Sequence, residues 1–353
     1  MGYELGEHVH WFLTDKCNED CAPCFREFFQ GGNTENLMKI ARILAENNVK
    51  KVTIGGGEPL LVENIDDILK IFWKAGIPVD LHTNCLRLSH ERLERFKRLV
   101  DTLGLPIDSL DYKVQAKLRE PGYLKQIKDI INDAQAYGYG LEYHTVATYL
   151  NIDGIPKLYS DFIKNTDFKC WNIYEFNFNL ARQNTFQSDC SDKEKVKRLK
   201  ILNELRGPLN HEKGLSDGLL AKFLLTEEKM KDLDDRIHFV DLQNSRAPYF
   251  FVNGLGDVKF YTWFSQKRRK IANLFEDGFA ETVRKLRRAE RKGPMFNQDD
   301  FIEAIYDIPI FARLYEGNCS TEEIEMIKPK YDEDVTHLAR LWETKRYGKP
   351  MTA

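Results

Sequence analysis

The sequence predicts an α/β protein built on a parallel β-sheet, and three observations support this prediction. In the first half of the 353-residue chain, short apolar runs alternate with amphipathic stretches of helical period. Gly76 and Gly138 follow two of the amphipathic stretches, as glycines at helix C-caps do. The chain is 42% hydrophobic and 30% charged, which is enough for a large core beneath a charged surface.

The alternation resolves into six strands and five intervening helices. The predicted strands cover residues 8–13, 51–55, 79–83, 102–106, 141–148 and 170–178. The predicted helices cover residues 36–47, 65–75, 90–99, 122–137 and 154–165. In the first of these helices the apolar residues recur three and four positions apart, which gives one buried face. Repeats of this kind suit either a partial (βα)6 barrel or a doubly wound sheet.

The alternation of short apolar runs and amphipathic stretches ends after about residue 178. Residues 183–235 are polar with helix-like stretches, and residues 236–242 and 247–262 read as strands. The Asn253-Gly254 pair within the latter predicts a hairpin. A basic helix follows, and residues 298–347 read as helical. We therefore expect two domains, residues 1–180 and an α+β extension over residues 181–353.

Charge and composition narrow the class of protein. A net charge of −3 gives no general attraction for polyanions. No apolar run approaches the roughly 20 residues that span a bilayer, and the first residues do not resemble a signal peptide. The seven cysteines are odd in number and mostly scattered, which argues against a disulfide framework. We expect a cytoplasmic protein without a membrane partner.

Three cysteines follow the first predicted strand as C-x3-C-x2-C: Cys17, Cys21 and Cys24. Three thiolates can hold three irons of a [4Fe–4S] cluster and leave the fourth iron open, whereas a closed cluster takes four cysteines. The alternative is a zinc site completed by His10 or Cys85. Such sites usually combine two ligand pairs, and this chain has no second pair.

The cysteine motif, followed by Phe25, resembles the signature of the radical S-adenosylmethionine (radical SAM) superfamily. A glycine–glutamate run with a proline after it, residues 55–59, resembles the G-G-E-P motif of the same superfamily. The resemblance implies a TIM-like partial (βα)6 barrel, here with a C-terminal α+β extension that caps the barrel mouth. It also implies a [4Fe–4S] cluster, SAM, and an electron donor such as flavodoxin or ferredoxin. The reduced cluster would cleave SAM to a 5′-deoxyadenosyl radical, which abstracts hydrogen from a substrate.

The resemblance also implies cofactor-binding residues at the strand ends. Glycines let the backbone approach a ligand, and a carboxylate can accept from the SAM ammonium group. The expected cofactor-binding residues are Phe25, Gly55, Gly56, Gly57, Glu58, Asn84, Ser109, His144 and Tyr174. Ser109 equally suits a helix cap. Cys85 stands where relatives often have glycine, and it is either a catalytic hydrogen-atom donor or an inert buried thiol.

The sequence alone does not identify the substrate. A small molecule or nucleotide is favoured because the C-terminal half lacks the clustered cysteines of auxiliary-cluster relatives. Alternatives are a ribosomally made peptide, RNA, or no substrate at all in a non-enzymatic iron–sulfur protein. RNA as a substrate is supported only by the basic helix around residues 284–292. A helix face exposed to solvent would explain these basic residues as well.

Overall fold

A computed structural model gives the fold. It describes residues 4–24, 29, 32–119, 122–176, 181, 191–207, 217–240, 249–259 and 270–291. The chain divides into two compact units, and all described residues belong to the first, Met1–Asn210 with Leu215–Pro294. The predicted helix over residues 298–347 lies outside the described residues.

The described strands form one ten-stranded sheet. They are β1 (His8–Phe12), β2 (Lys51–Gly55), β3 (Val79–His82), β4 (Thr102–Pro106), β5 (Gly140–Ala147), β6 (Cys170–Glu175), β7 (Ile237–Val240), β8 (Tyr249–Asn253), β9 (Asp257–Lys259) and β10 (Ala272–Asn273). Their order is β10-β9-β8-β1-β2-β3-β4-β5-β6-β7, and β8 to β7 run parallel. The antiparallel pairs are β8–β9 and β9–β10. An open, mostly parallel sheet confirms the predicted α/β partial barrel with an α+β extension.

The helices lie between successive strands from β1 to β7, except the last one, which follows β10 and is interrupted at Gly278. They are α1 (Thr34–Glu46), α2 (Ile65–Lys74), α3 (His90–Phe96), α4 (Tyr112–Leu118), α5 (Tyr123–Ala136), α6 (Ile155–Asp161), α7 (Asp192–Arg206), α8 (Asp217–Met230) and α9 (Leu274–Arg291). The predicted helix over 154–165 is shorter, because Phe162 leaves the helical region at φ −135° and ψ −66°. Helix α4 was not predicted. Asp111 caps it by accepting from the backbone N–H of Lys113 and Val114.

The two faces of the sheet differ in chemistry. One face is apolar and packs under the helices; Trp11, for example, is fully buried and meets Phe72 of α2 edge to face. We call the opposite face the inner face. It carries the alternate side chains of each strand, among them His10, His82 and His144. The sheet therefore has one side that carries polar side chains able to bind ligands.

Strands from the C-terminal half extend this same sheet. The predicted hairpin is confirmed as β8 and β9, and β8 pairs with β1 in parallel. Strand β7 pairs with β6. The division between residues 180 and 181 stays a prediction.

Candidate functional site

The three motif cysteines lie on one loop after β1, residues 14–24, which we call the thiol loop. All three are half-buried and outside any disulfide. The N–H of Cys24 donates to the carbonyl of Cys21 over 3.2 Å, which folds the loop into a turn. As a set, the three sulfurs do not come within the 4.8 Å at which side chains could share one ion.

The thiol loop is hydrogen-bonded to the glycine turn, residues 55–58, at the end of β2. The N–H of Gly57 donates to the carbonyl of Thr14 over 2.6 Å, and that of Glu58 donates to Lys16 over 2.8 Å. A Cβ on Gly57 would collide with the carbonyl of Lys16. Gly56 has φ +133°, which side chains rarely allow, and a Cβ there would collide with Thr14. The glycines therefore permit the contact that positions the cysteines.

Glu58 joins the glycine turn to the end of β3. Its buried carboxylate accepts from the N–H of Leu60 (2.9 Å), the hydroxyl of Thr83 (2.8 Å) and the N–H of Asn84 (2.7 Å). Burial raises the pKa of Glu58 to about 6, against the lowering effect of these hydrogen bonds. The carboxylate thus fixes the chain at Asn84, and its direct contact with SAM stays a prediction.

Asn84 reaches the first cysteine. Its Nδ2 lies 3.7 Å from the Sγ of Cys17 and 3.0 Å from the Oδ1 of Asn18. Its Oδ1 accepts from the N–H of Leu86 over 3.0 Å. The amide is therefore oriented with its donor end toward the thiol loop, where hydrogen bonds to sulfur tune a bound cluster.

Arg119 reaches the second cysteine, and the sequence analysis did not single it out. Its Nη1 lies 3.4 Å from the Sγ of Cys21. Its Nε lies 2.6 Å from Oδ2 of Asp108, and its Nη1 lies 3.7 Å from Oε2 of Glu19. Asp108, Cys21 and other neighbouring groups hold the pKa of Arg119 well above its ordinary value, although its burial acts to lower that pKa. A permanent positive charge thus faces the thiol loop. No motif marks it, because the fold alone brings the end of α4 to this loop.

Arg198 of α7 holds the same loop from another side. Its Nη1 pairs with Asp20, and its Nη2 donates to the carbonyl of Cys21 over 2.9 Å. Arg198 is 8% exposed. A helix beyond the six-strand region therefore contributes to the thiol loop.

His144 and Tyr174 form a second group on the inner face. The Nδ1 of His144 lies 3.2 Å from the hydroxyl of Tyr174, and the two rings stack. The ring of His82 lies 4.4 Å from that of His144, centroid to centroid. Alternation along β3 and β5 could have indicated this pairing, but only with the strand order known.

The remaining predicted site residues have other surroundings. Ser109 accepts from the N–H of Asp111 over 3.0 Å, within the cap of α4. Cys85 is fully buried, and its thiol faces the carbonyl of Thr83 at 3.7 Å. Its φ is +68°, in the left-handed region that favours glycine. Phe25 lies outside the described residues.

The donor set of the thiol loop fits an iron–sulfur cluster. It offers three soft sulfur ligands, together with an amide and a guanidinium donor directed at two of them. Burial raises the pKa of the Cys21 thiol well above its ordinary value, so an ion must displace its proton on binding.

The basic residues of α9 are partly neutralised. Arg284 pairs with Glu281, and Lys285 pairs with Asp277 over 2.7 Å. Just before the helix, Lys270 pairs with Asp257 over 3.1 Å. These ion pairs favour a solvated helix face over a nucleic-acid patch. Among the described residues, no helix is both long and apolar enough to cross a membrane.

Comparison with known proteins shows which family part of this chain matches. Residues 11–164 match the family described as the radical SAM superfamily. An S-adenosylmethionine-dependent nucleotide dehydratase of Lacinutrix mariniflava is 27% identical over 47% of this chain and 38% of its own length. A GTP 3',8-cyclase of Campylobacter lari is 26% identical over 40% of this chain and 47% of its own length. The chain thus spans less than half the length of these two relatives.

A solved structure resembles the fold over most of the chain. It is anSMEcpe with bound AdoMet and the Kp18Cys peptide, with a TM-score of 0.54 and 13% identity. The alignment covers 86% of this chain and 96% of that one. The family match includes the end of β1, the thiol loop, the glycine turn and the strands from β2 to β5, so the predicted resemblance to the radical SAM superfamily is confirmed for residues 11–164.

Proposed function

We propose that this chain cleaves SAM reductively and uses the resulting radical to abstract a hydrogen atom from a nucleotide. One observation carries the first half of the proposal. The three-thiol loop is hydrogen-bonded to the glycine turn through the N–H groups of Gly57 and Glu58. That contact brings the cluster ligands beside the backbone that would receive the methionine end of SAM.

The cofactors are those of the superfamily, a [4Fe–4S] cluster and SAM. When bound, they supply the electron and the adenosyl radical. The protein's own part is to present the three thiols on one loop, to direct Asn84 and Arg119 at two of them, and to keep the end of β3 fixed through Glu58. These groups position the cofactors and set the electrostatic environment of the cluster.

A nucleotide is the substrate class with most support. According to their names, the two relatives described above act on nucleotides. Both resemble this chain in sequence. The polar inner face offers imidazole, carboxylate and hydroxyl groups from His144, Glu142 and Tyr174. The peptide-bound structure supports only the fold at 13% identity. Ion pairing along α9 weakens the case for RNA.

SAM cleavage tests the first half of the proposal. The anaerobically reconstituted protein should form 5′-deoxyadenosine when dithionite reduces it. Serine at Cys17, Cys21 or Cys24 should bring this product to background, because each thiol holds one iron. Cys170→Ser is the matched control, since Cys170 lies on β6 away from the motif. A cleavage rate that is unchanged in the three motif variants would refute the proposal.

Nucleotide-dependent turnover tests the second half. Each of the four ribonucleoside triphosphates and their deoxy counterparts is added separately, and product masses are compared with controls that lack SAM. We expect one or more to raise the formation of 5′-deoxyadenosine and to give a new nucleotide product. If none does so while SAM cleavage persists, the nucleotide assignment is wrong and the superfamily chemistry stands.

A further inference from the structure

Three ligand-type side chains meet on the inner face, apart from the thiol loop. His82 ends β3, and Glu142 and His144 lie on β5. One nitrogen or oxygen atom from each lies within 4.8 Å of the others. Among the described residues, no other three His, Cys, Asp or Glu side chains meet this condition.

A glycine on β4 makes the meeting possible. Gly104 pairs with His82 on one side and with Glu142 on the other. A Cβ on Gly104 would overlap the His82 ring, so any other residue there would exclude the ring. The imidazole of His82 therefore lies across β4 and approaches that of His144 on the strand beyond.

Neighbouring side chains orient two of the three groups. The hydroxyl of Tyr174 is hydrogen-bonded to Nδ1 of His144, so Nε2 is the ring nitrogen that can bind another partner. Asn172 donates to Oε1 of Glu142 over 2.6 Å, and this oxygen lies 3.6 Å from Nε2 of His144. Histidine ligands of metal ions are held in this way, with the second ring nitrogen hydrogen-bonded to a supporting group.

Two ring nitrogens of the group are buried without a hydrogen bond. The Nε2 atoms of His82 and His144 are shielded from solvent, and neither makes a hydrogen bond. Buried polar atoms in this state are rare in native proteins and call for an explanation. A bound ion would supply the missing partner to both at once.

We propose that His82, Glu142 and His144 form a binding site for a divalent zinc-like ion on the inner face of the sheet. Two imidazoles and one carboxylate are a common ligand set for zinc sites that keep an open fourth position. Water or an anionic oxygen of a substrate would occupy that position. Burial lowers the pKa of both imidazoles to about 4, so the rings are neutral at neutral pH, the form that binds metal.

The distances require a small adjustment. Ligand atoms around a tetrahedral zinc ion lie about 3.4 Å apart, given bonds of about 2.1 Å. The pair formed by His144 and Glu142, at 3.6 Å, is close to this value. The widest separation, at most 4.8 Å, would need to shorten by at most about 1.4 Å, within reach of side-chain rotation of His82.

Zinc content of the cluster-loaded full chain tests the site. The protein is incubated with Zn²⁺, dialysed, and analysed for zinc and iron together. We expect about one zinc beside the cluster iron. His82→Asn, Glu142→Gln and His144→Asn should each weaken zinc binding on the order of tenfold or more and leave the iron content unchanged. His8→Asn is the matched control, because His8 shares the face and pairs with Thr53.

The thiols could bind zinc themselves, so a second measurement separates the two sites. The full chain with Cys17→Ser, Cys21→Ser and Cys24→Ser cannot hold a cluster. It should still bind Co²⁺ and show d–d absorption without a sulfur charge-transfer band. Loss of metal binding in the serine variant, or unchanged zinc binding in a folded His144→Asn variant, would overturn the site. If the ligand variants do not fold, Tyr174→Phe should still weaken Co²⁺ binding about tenfold, and unchanged binding would count against the proposal.

Discussion

The Nη1 of Arg119 lies 3.4 Å from the Sγ of Cys21, so the C-cap residue of α4 contacts a motif cysteine. The guanidinium is also paired with Asp108 and lies close to Glu19. Both carboxylates are buried, and Arg119 is the positive charge placed between them. Its removal would leave two buried negative charges beside the thiol loop.

Replacement of Arg119 by methionine should therefore destabilise the protein strongly. We expect the free energy of unfolding in urea to fall by about 3–5 kcal/mol, the usual effect of breaking a buried ion pair from one side. Arg95→Met, which removes an exposed pair with Asp66, should cost less than about 1 kcal/mol. Equal losses in the two variants would contradict the assignment.

A methyl group at Gly57 should prevent cluster assembly. The added Cβ collides with the carbonyl of Lys16, so the thiol loop must move. We expect Gly57→Ala to bind much less iron on anaerobic reconstitution than the wild type. Gly154→Ala is the matched control, because a Cβ at Gly154 meets nothing within 4 Å. Iron contents that match in the two variants would disprove the steric argument.

Glu58→Gln should destabilise the protein, although the side chain keeps almost the same size. The carboxylate accepts three hydrogen bonds through two oxygens, and a glutamine amide has one oxygen. The N–H of Asn84 or of Leu60 would then face a donor. We expect a loss of about 1–3 kcal/mol in the free energy of unfolding. Glu63→Gln, at an exposed position, should change it by less than about 0.5 kcal/mol.

His8 should make stability depend on pH. Burial lowers its folded-state pKa to about 4, helped by Lys51 and His82 and opposed by Asp80. Between pH 6.5 and 4 the unfolded chain binds the proton more readily, so this contribution to stability is present above 6.5 and is lost as the pH falls. From pH 7 to pH 4.5, the wild type should lose about 1–3 kcal/mol more than His8→Asn. Parallel pH profiles in urea titrations would exclude this role.

The thiol of Cys85 should be unreactive in the folded protein. It is fully buried, and burial raises its pKa well above the ordinary value. A maleimide should label Cys85 only after unfolding, as mass spectrometry of peptides would report. Rapid labelling under native conditions would instead support the predicted hydrogen-atom donor.

Much of the barrel could be predicted because each signal is local. The predicted strands 51–55 and 102–106 match β2 and β4 at both ends. Each is a short apolar run, and each ends where polar or turn residues begin in the sequence. The cysteine spacing and the glycine turn are likewise contiguous in sequence. Their mutual contact follows from the parallel order of β1 and β2.

The rest depends on contacts between distant segments. Arg119 lies ninety-eight positions from Cys21, and no periodicity marks an arginine at a helix end as a partner for a thiol. The pairing of β8 with β1 joins segments more than two hundred residues apart. The group of His82, Glu142 and His144 needs the strand order and a glycine at position 104. None of these has a signature in a single sequence.

The hydrogen bonds from Gly57 and Glu58 to the thiol loop make two amide protons sensitive to distant events. Each is protected from solvent exchange only while residues 14–16 stay in place. Deuterium uptake at these two amides would therefore report how often the loop opens, even in a protein without iron. The same signal would show whether loading the cluster slows that opening.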